Sequence, residues 1–66
     1  MKFERCEVGM FRLPGLTIDK DTFDPELHLE QVEWASENKC GTPMTETLWS
    51  FKTESQRDWF ILRWYE

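Results

Sequence analysis

Residues 24–41 read DPELHLEQVEWASENKCG, and this stretch contains the strongest local structural signal in the chain. Asp24 is a residue type that accepts hydrogen bonds from the free amide groups at a helix start, and Pro25 has its φ angle preset for the first helical position. Gly41 suits the left-handed conformation in which helices often end. The stretch therefore predicts a helix that begins at Pro25 and ends at Asn38 or one residue later.

The predicted helix has an apolar side and an acidic side. Leu27, Trp34 and Ala35 lie on one side at about 100° per residue, and this stripe predicts packing against a sheet. The opposite side carries four carboxylates at spacings of four, three and four residues, which place them within a narrow arc. We call this set the acidic ridge: Glu26, Glu30, Glu33 and Glu37.

Alternating apolar residues predict strands before and after this helix. In residues 2–13 the alternation changes phase beside Gly9, which indicates a bulge or bend in the first strand. Pro14-Gly15 is a typical turn pair, so a hairpin across it is expected. Residues 46–51 read ETLWSF and alternate again, which predicts a strand after a loop at residues 40–45.

A second helix is predicted in the C-terminal part of the chain. Thr53 and Gln56 have the spacing of a capping box, in which each side chain satisfies a free amide group at a helix start. The apolar run from Trp59 to Tyr65 surrounds almost the whole helix, so part of it is expected to stay exposed for a partner or a second copy. A run this short is also typical of a buried strand, and the capping box favours the helix.

These elements predict a single α+β domain that spans residues 1–66. The expected order is β(β)αβα, with a small antiparallel sheet of two to three strands and two helices packed on one face. A chain of 66 residues buries only about 60% of the surface that its unfolded form exposes. Marginal stability is therefore expected, and an associated partner is one way to offset it.

Composition and residue types argue against several classes of function. The net charge of −5 disfavours binding to a phosphate backbone, and no apolar run reaches the roughly 20 residues that span a bilayer. Cys6 and Cys40 lack the spacing of a zinc site or a disulfide framework, so we expect free thiols and no metal or other cofactor. His28 is the only imidazole and has no evident catalytic partner, so the chain is not expected to be an enzyme.

Residues 49–64 read WSFKTESQRDWFILRW and combine aromatic and basic residues in a distinctive pattern. This segment resembles the C-terminal part of small uncharacterised proteins of tailed bacteriophages, which tend to end in an F-K, polar helix start, F-x-L-R/K-W pattern. The matching positions are Phe51, Lys52, Phe60, Leu62, Arg63 and Trp64. The resemblance implies a small accessory protein made in the cytoplasm of an infected bacterial host, and it implies no catalytic residues.

The resemblance and the surface residues together lead us to expect a protein that binds a host or phage protein, with inhibition of that protein as one outcome. The candidate partner-binding residues are Glu26, Glu30, Glu33, Glu37, Trp59, Arg63 and Tyr65. The acidic ridge is either an imitation of a row of phosphates or the solvated face of an amphipathic helix. Two other functions stay open: a virion structural or assembly subunit that self-associates as a homodimer, and single-stranded nucleic-acid binding by aromatic stacking, which the net charge disfavours.

Overall fold

The computed structural model describes residues 1–65 and shows a four-stranded antiparallel sheet with two α-helices. In chain order the elements are β1 (Phe3–Val8), β2 (Leu13–Ile18), a 3₁₀ turn (Lys20–Thr22), α1 (Pro25–Asn38), β3 (Thr42–Thr45), β4 (Leu48–Ser50) and α2 (Glu54–Trp64). The predicted α+β class is confirmed. The sheet contains four strands rather than the two to three expected.

The strands lie in the order β1-β2-β4-β3, and every neighbouring pair is antiparallel. Strands β2 and β3 therefore run parallel to each other with β4 between them, and β1 and β3 form the two edges. The additional strand is β3, which lies in the segment 40–45 that was expected to be a loop. Its sequence, TPMT, contains a proline and shows no apolar alternation, so it gives no strand signal.

The first hairpin turns at residues 9–12, and the predicted turn at Pro14-Gly15 is wrong. Gly9 (φ 76°) and Arg12 (φ 52°) adopt left-handed conformations, and the Arg12 N–H donates to the Gly9 carbonyl at 3.2 Å. Pro14 lies inside β2, where its carbonyl accepts a hydrogen bond from the Phe51 N–H at 2.8 Å. Proline is tolerated there because its missing amide hydrogen faces a position just beyond the last residue of β4.

The two faces of the sheet differ because only one of them is covered by the helices. Directly paired residues in an antiparallel ladder point to the same face, so Leu16 and Trp49 share the covered face. Cys6, Gly15 and Ser50 share the other face, which neither helix covers. We call these the covered face and the open face.

Aromatic side chains form the centre of the core. The ring of Phe60, which is fully buried, lies 4.7 Å from that of Trp49 and 5.5 Å from that of Phe51, centroid to centroid. Trp34 of α1 lies 6.0 Å from the same Phe60 ring, so both helices pack on the covered face as predicted. The buried apolar residues are Leu16, Ile18, Ala35, Cys40, Trp49, Phe51, Phe60 and Trp64.

The first helix has the predicted bounds, and one detail of its C-terminus differs. The Asp24 carboxylate accepts hydrogen bonds from the N–H groups of Glu26 at 3.0 Å and Leu27 at 3.4 Å. Lys39, with φ 51°, takes the left-handed conformation at the end of α1 that was assigned to Gly41. Gly41 also has a positive φ, 95°, but it lies in the connection to β3.

The C-terminal segment is a helix, as the capping box predicts. Thr53 Oγ1 accepts a hydrogen bond from the Gln56 N–H at 3.2 Å. The reciprocal bond differs from the expected one, because Gln56 Oε1 accepts from the N–H of Lys52 at 3.3 Å rather than from that of Thr53. Helix α2 then continues to Trp64, and Tyr65 follows it in an extended conformation.

Candidate partner-binding surface

The acidic ridge lies on the exposed side of α1. All four of its glutamates are exposed, and the helix contains no lysine or arginine. Within residues 1–65, the recorded ion pairs of the side chains join Arg5 to Asp58, Arg12 to Glu7 and Arg57 to Glu54, so no cation pairs with the ridge. Glutamates at i,i+4 repel each other by a few tenths of a kcal/mol per pair. The ridge is therefore a concentrated negative charge that the fold itself does not neutralise.

An aromatic pair between the two helices borders the ridge. The rings of Trp34 and Trp59 meet edge to face, with centroids 5.1 Å apart. Trp34 has Glu30 and Glu37 at i−4 and i+3, which are neighbouring positions on a helix surface. Trp59 is 47% exposed, although it makes this contact. An apolar surface thus lies directly beside two of the ridge carboxylates.

Arg63 continues this surface along α2. It lies four residues after Trp59 and is exposed, so the two side chains occupy neighbouring positions on the same side of the helix. Its guanidinium carbon lies 4.2 Å from the ring centroid of Trp64, a cation–π distance. We call Trp34, Trp59 and Arg63 the helical seam, because they line the outer junction of α1 and α2.

Tyr65 is the one predicted site residue that lies apart from the others. It is 76% exposed and, with Phe3, Arg5 and Ile61, lines a groove of about 440 Å³ between β1 and the end of α2. The helical seam lies on the α1 side of α2, whereas this groove lies on the β1 side. The sequence places Trp59 and Tyr65 in one apolar run, and only the position of α1 shows that they face different surroundings.

Four strongly exposed large apolar residues were not among the predicted site residues. Met10 and Phe11 form the tip of the β1–β2 hairpin and are 92% and 87% exposed. Leu62 and Leu29, on the outer sides of the helices, are 78% and 69% exposed. The phase change beside Gly9 was the available signal for the hairpin tip, but it was interpreted as a bulge or bend within one strand.

His28 and the possible metal ligands of the described residues were the candidate chemical groups. His28 is half-buried, and its ring lies 5.3 Å from that of Phe23 and 6.1 Å from that of Trp49. Its Nδ1 atom has no hydrogen-bond partner within residues 1–65, so no carboxylate orients the imidazole through it. In the same part of the chain, no three His, Cys, Asp or Glu side chains lie close enough together to hold a metal ion.

The two cysteines lie in different surroundings, and both are free thiols. Cys40 is buried in the core, where its Sγ donates to the carbonyl of Gln56 at 3.2 Å. Desolvation by this burial raises the pKa of the Cys40 thiol above its ordinary value. Cys6 is half-buried on the open face. The buried thiol is therefore the less reactive of the two, since the thiolate is the nucleophile.

Comparisons with known proteins found no relative of this chain. No protein-family model matches the chain, and no curated protein or solved structure matches it. Across residues 1–65, no helix combines the length and the apolar character needed to cross a membrane.

Proposed function

We propose that this chain is an accessory protein of the tailed-bacteriophage type that acts in the host cytoplasm by binding a host or phage protein. The setting follows from the resemblance of residues 49–64 to such proteins. The binding surface is the acidic ridge together with the helical seam. No residue of this surface has a catalytic role in the proposal.

One observation carries the proposal: the unpaired carboxylates of Glu30 and Glu37 occupy positions next to Trp34 on α1, and the Trp34 ring contacts the half-exposed ring of Trp59. A purely solvated helix face gains stability from lysine or arginine at i,i+4 to its glutamates, and α1 has none. Exposed tryptophan is a residue type enriched among the anchors of protein interfaces. Negative charge that borders an aromatic surface suits a partner with a basic rim around an apolar pocket.

Nucleic-acid binding fits this surface less well. The Arg57 side chain is only 12% exposed, and its Nη1 donates to the main-chain carbonyls of Cys6 at 3.2 Å and Gly15 at 3.4 Å. Arg63 lies against the Trp64 ring. Of the three cations near the aromatic run, Lys52, Arg57 and Arg63, Arg57 is thus engaged within the fold and Arg63 lies against a ring, and the ridge repels phosphates. A protein partner is the better match to this charge distribution.

The proposal is tested by affinity capture from a bacterial lysate, followed by calorimetry with the purified captured protein. Glu30→Gln with Glu37→Gln removes two ridge charges beside Trp34 and is expected to weaken binding by about five-fold or more. Binding of the unmodified chain is expected to weaken as salt rises, since salt screens exposed charges. The double variant is expected to lose much of this salt dependence.

A matched control changes the net charge equally at exposed positions outside the ridge. Glu4→Gln with Glu46→Gln also removes two carboxylates, one on β1 and one in the β3–β4 turn. We expect this variant to bind the partner as the unmodified chain does. An equal loss of partner affinity in both double variants would show that the ridge contributes only through the overall charge. No loss of affinity in either variant would show that the ridge is a solvated helix face.

A further inference from the structure

The outer edge of β1 carries main-chain groups that no other strand satisfies. In β2, the Ile18 N–H donates to the Thr47 carbonyl at 2.8 Å and the Pro14 carbonyl accepts from the Phe51 N–H. The main-chain N–H and C=O groups of the even-numbered residues of β2 therefore point toward β4. The direction of the main-chain N–H and C=O groups alternates along an antiparallel strand, so those of the odd-numbered residues of β2 point toward β1. Their direct partners in β1 are Glu4, Cys6 and Val8.

The intervening residues of β1 therefore point their main-chain groups away from the sheet. These residues are Phe3, Arg5 and Glu7. No strand or loop within residues 1–65 pairs with this edge. An unpaired row of N–H and C=O groups is a template for a further strand.

The opposite edge of the sheet is interrupted by proline and a bulge, and β1 is regular. Strand β3 has four residues, contains Pro43 and has a register irregularity between Pro43 and Thr45. Proline and bulges are among the features by which natural edge strands avoid pairing with other chains, and charged side chains such as those of β1 are another. Strand β1 has six residues, no proline and an uninterrupted register with β2. The fold thus leaves one edge open to extension.

We propose that β1 pairs antiparallel with β1 of a second copy, around a two-fold axis at Cys6, so that the two sheets become one continuous sheet. In this register Arg5 of each copy lies opposite Glu7 of the other. Both are residues whose main-chain groups point outward, so each Arg5–Glu7 pair is also a hydrogen-bonded pair of the new ladder. Opposite charges that face each other directly across strands stabilise the pairing.

The charges of β1 select this register among the alternatives. Residues 4, 5 and 7 are all charged, so a two-fold axis at any of them places like charges directly opposite each other, which is destabilising. An axis at Cys6 is the central position that avoids this. The existing contacts of Arg5 with Asp58, at 3.1 Å, and of Glu7 with Arg12, at 3.8 Å, are exposed and therefore weak. They do not prevent pairing across the axis.

Two apolar residues at the end of α2 lie on the same side as the open edge. Arg57 reaches the carbonyls of Cys6 and Gly15, which places α2 over the β1–β2 half of the sheet. With strands about 4.8 Å apart, the two copies of α2 would run about 10–14 Å from each other, close to helix-packing distance. Ile61 and Tyr65, which line the groove between β1 and α2, have the size to fill this gap, and Tyr65 is 76% exposed. The dimer thus covers the open edge and these side chains together.

Sedimentation velocity from micromolar to millimolar concentration, combined with charge exchange, tests the proposal. Arg5→Glu and Glu7→Arg each replace two attractive pairs by two repulsive ones, and each is expected to weaken dimerisation by about ten-fold or more. The double exchange restores both pairs between copies and is expected to return the dimer affinity to near its original value. The same double exchange opposes Asp58 and Arg12 within each copy, so it does not restore contacts inside the monomer.

Cross-linking tests the register directly. Cys6 residues that face each other across the axis form a non-hydrogen-bonded pair, with Cα atoms about 4.5 Å apart, a separation that a disulfide spans. Diamide takes up the two electrons and two protons that the thiols release, so it is expected to yield a covalent dimer of the unmodified chain and of Cys40→Ser. Cys6→Ser, which retains only the buried Cys40 thiol, is the matched control and is expected to stay uncross-linked.

Three outcomes overturn the proposal: a monomeric mass at every concentration, a double charge exchange that stays as weak as the single ones, or a dimer that diamide does not cross-link through Cys6. Trp59→Ala separates this proposal from the proposed function, because Trp59 lies on the α1 side of α2. We expect this variant to lose affinity for the captured partner and to keep the dimer. A dimer that Trp59→Ala abolishes would place the contact at the helical seam and also overturn the β1 pairing.

Discussion

The two faces of the sheet show how unevenly this small domain is stabilised. The covered face presents Leu16, Trp49 and Phe51, all 2% exposed or less, to the helices. The open face presents the half-buried side chains of Cys6 and Leu48 to solvent. Hydrophobic stabilisation scales with the apolar area removed from water, so it comes almost entirely from one layer. Substitutions on the two faces should therefore have very different effects on the free energy of unfolding.

The largest effect is expected from Phe60→Ala in the covered layer. Its ring contacts those of Phe3, Trp34, Trp49, Phe51 and Trp64. Removal of a fully buried phenylalanine side chain typically costs about 3–5 kcal/mol, which is a large share of the stability of so small a domain. Urea denaturation followed by tryptophan fluorescence measures the loss. Leu62→Ala on the same helix but exposed is the control, with an expected change within about 0.5 kcal/mol.

A smaller loss is expected from Gly15→Ala, which adds a methyl group on the open face. The new Cβ would clash with the side chain of Val8 and lie 2.8 Å from Cys6 Sγ. Overpacking of this kind costs about 1–3 kcal/mol, and Val8→Ala in the same chain should recover part of it. Thermal unfolding of the single and double variants measures both terms. A Gly15→Ala chain as stable as the original would show that the open face tolerates change more freely than its contacts indicate.

The buried Cys40 thiol of the covered layer is expected to affect the stability of the domain at alkaline pH. Because burial raises the pKa of Cys40 in the folded state above the ordinary 9.0, its contribution to stability is complete below that value and is lost as the pH rises through the raised pKa. Denaturation midpoints of the original chain are therefore expected to fall more steeply above about pH 9 than those of Cys40→Ser. An equal fall in both would assign the alkaline loss to other groups. Reducing agent is expected to leave the melting temperature unchanged, since both thiols are free.

The smallest change in stability is expected outside both layers, at the acidic ridge. Replacement of Glu26, Glu30, Glu33 and Glu37 by glutamine should leave the free energy of unfolding unchanged or raise it by a few tenths of a kcal/mol per relieved pair. Circular dichroism at low and at high salt measures this, and the difference should shrink at high salt. A clear destabilisation would show that the ridge supports the fold rather than an interaction.

Much of the helical structure was predictable from the sequence because helix signals are local. Asp24-Pro25 and the Thr53/Gln56 spacing identify the two helix starts through hydrogen bonds made within a few residues. Strand β3 was not predictable, because TPMT has no pattern of its own and is held by pairing with β4. The hairpin was misplaced because Pro14 and Gly15 are turn residues by type. Their tolerance inside β2 depends on where β4 ends and on the side chains that lie over Gly15.

For the candidate site too, the local features were predictable and the contacts between elements were not. The exposure of the acidic ridge follows from the helical period of α1 alone. The contact of Trp34 with Trp59 and the separation of Tyr65 from both depend on the side of α2 on which α1 packs, which no local pattern contains. The open edge of β1 depends on the strand order, and the order depends on β4 entering between β2 and β3.

That central position of β4 has a consequence for folding during synthesis. When the ribosome has released residues 1–45, the β1–β2 hairpin and α1 are complete, but β2 has no strand on its inner side. The large rings Trp49, Phe51, Phe60 and Trp64 all come later in the chain. The nascent chain therefore lacks most of this core until residues 49–64 have been made, and α1 has little to pack against before then. Folding of this domain is expected to be a single event once residues 49–64 have emerged rather than a stepwise process from β1 onward.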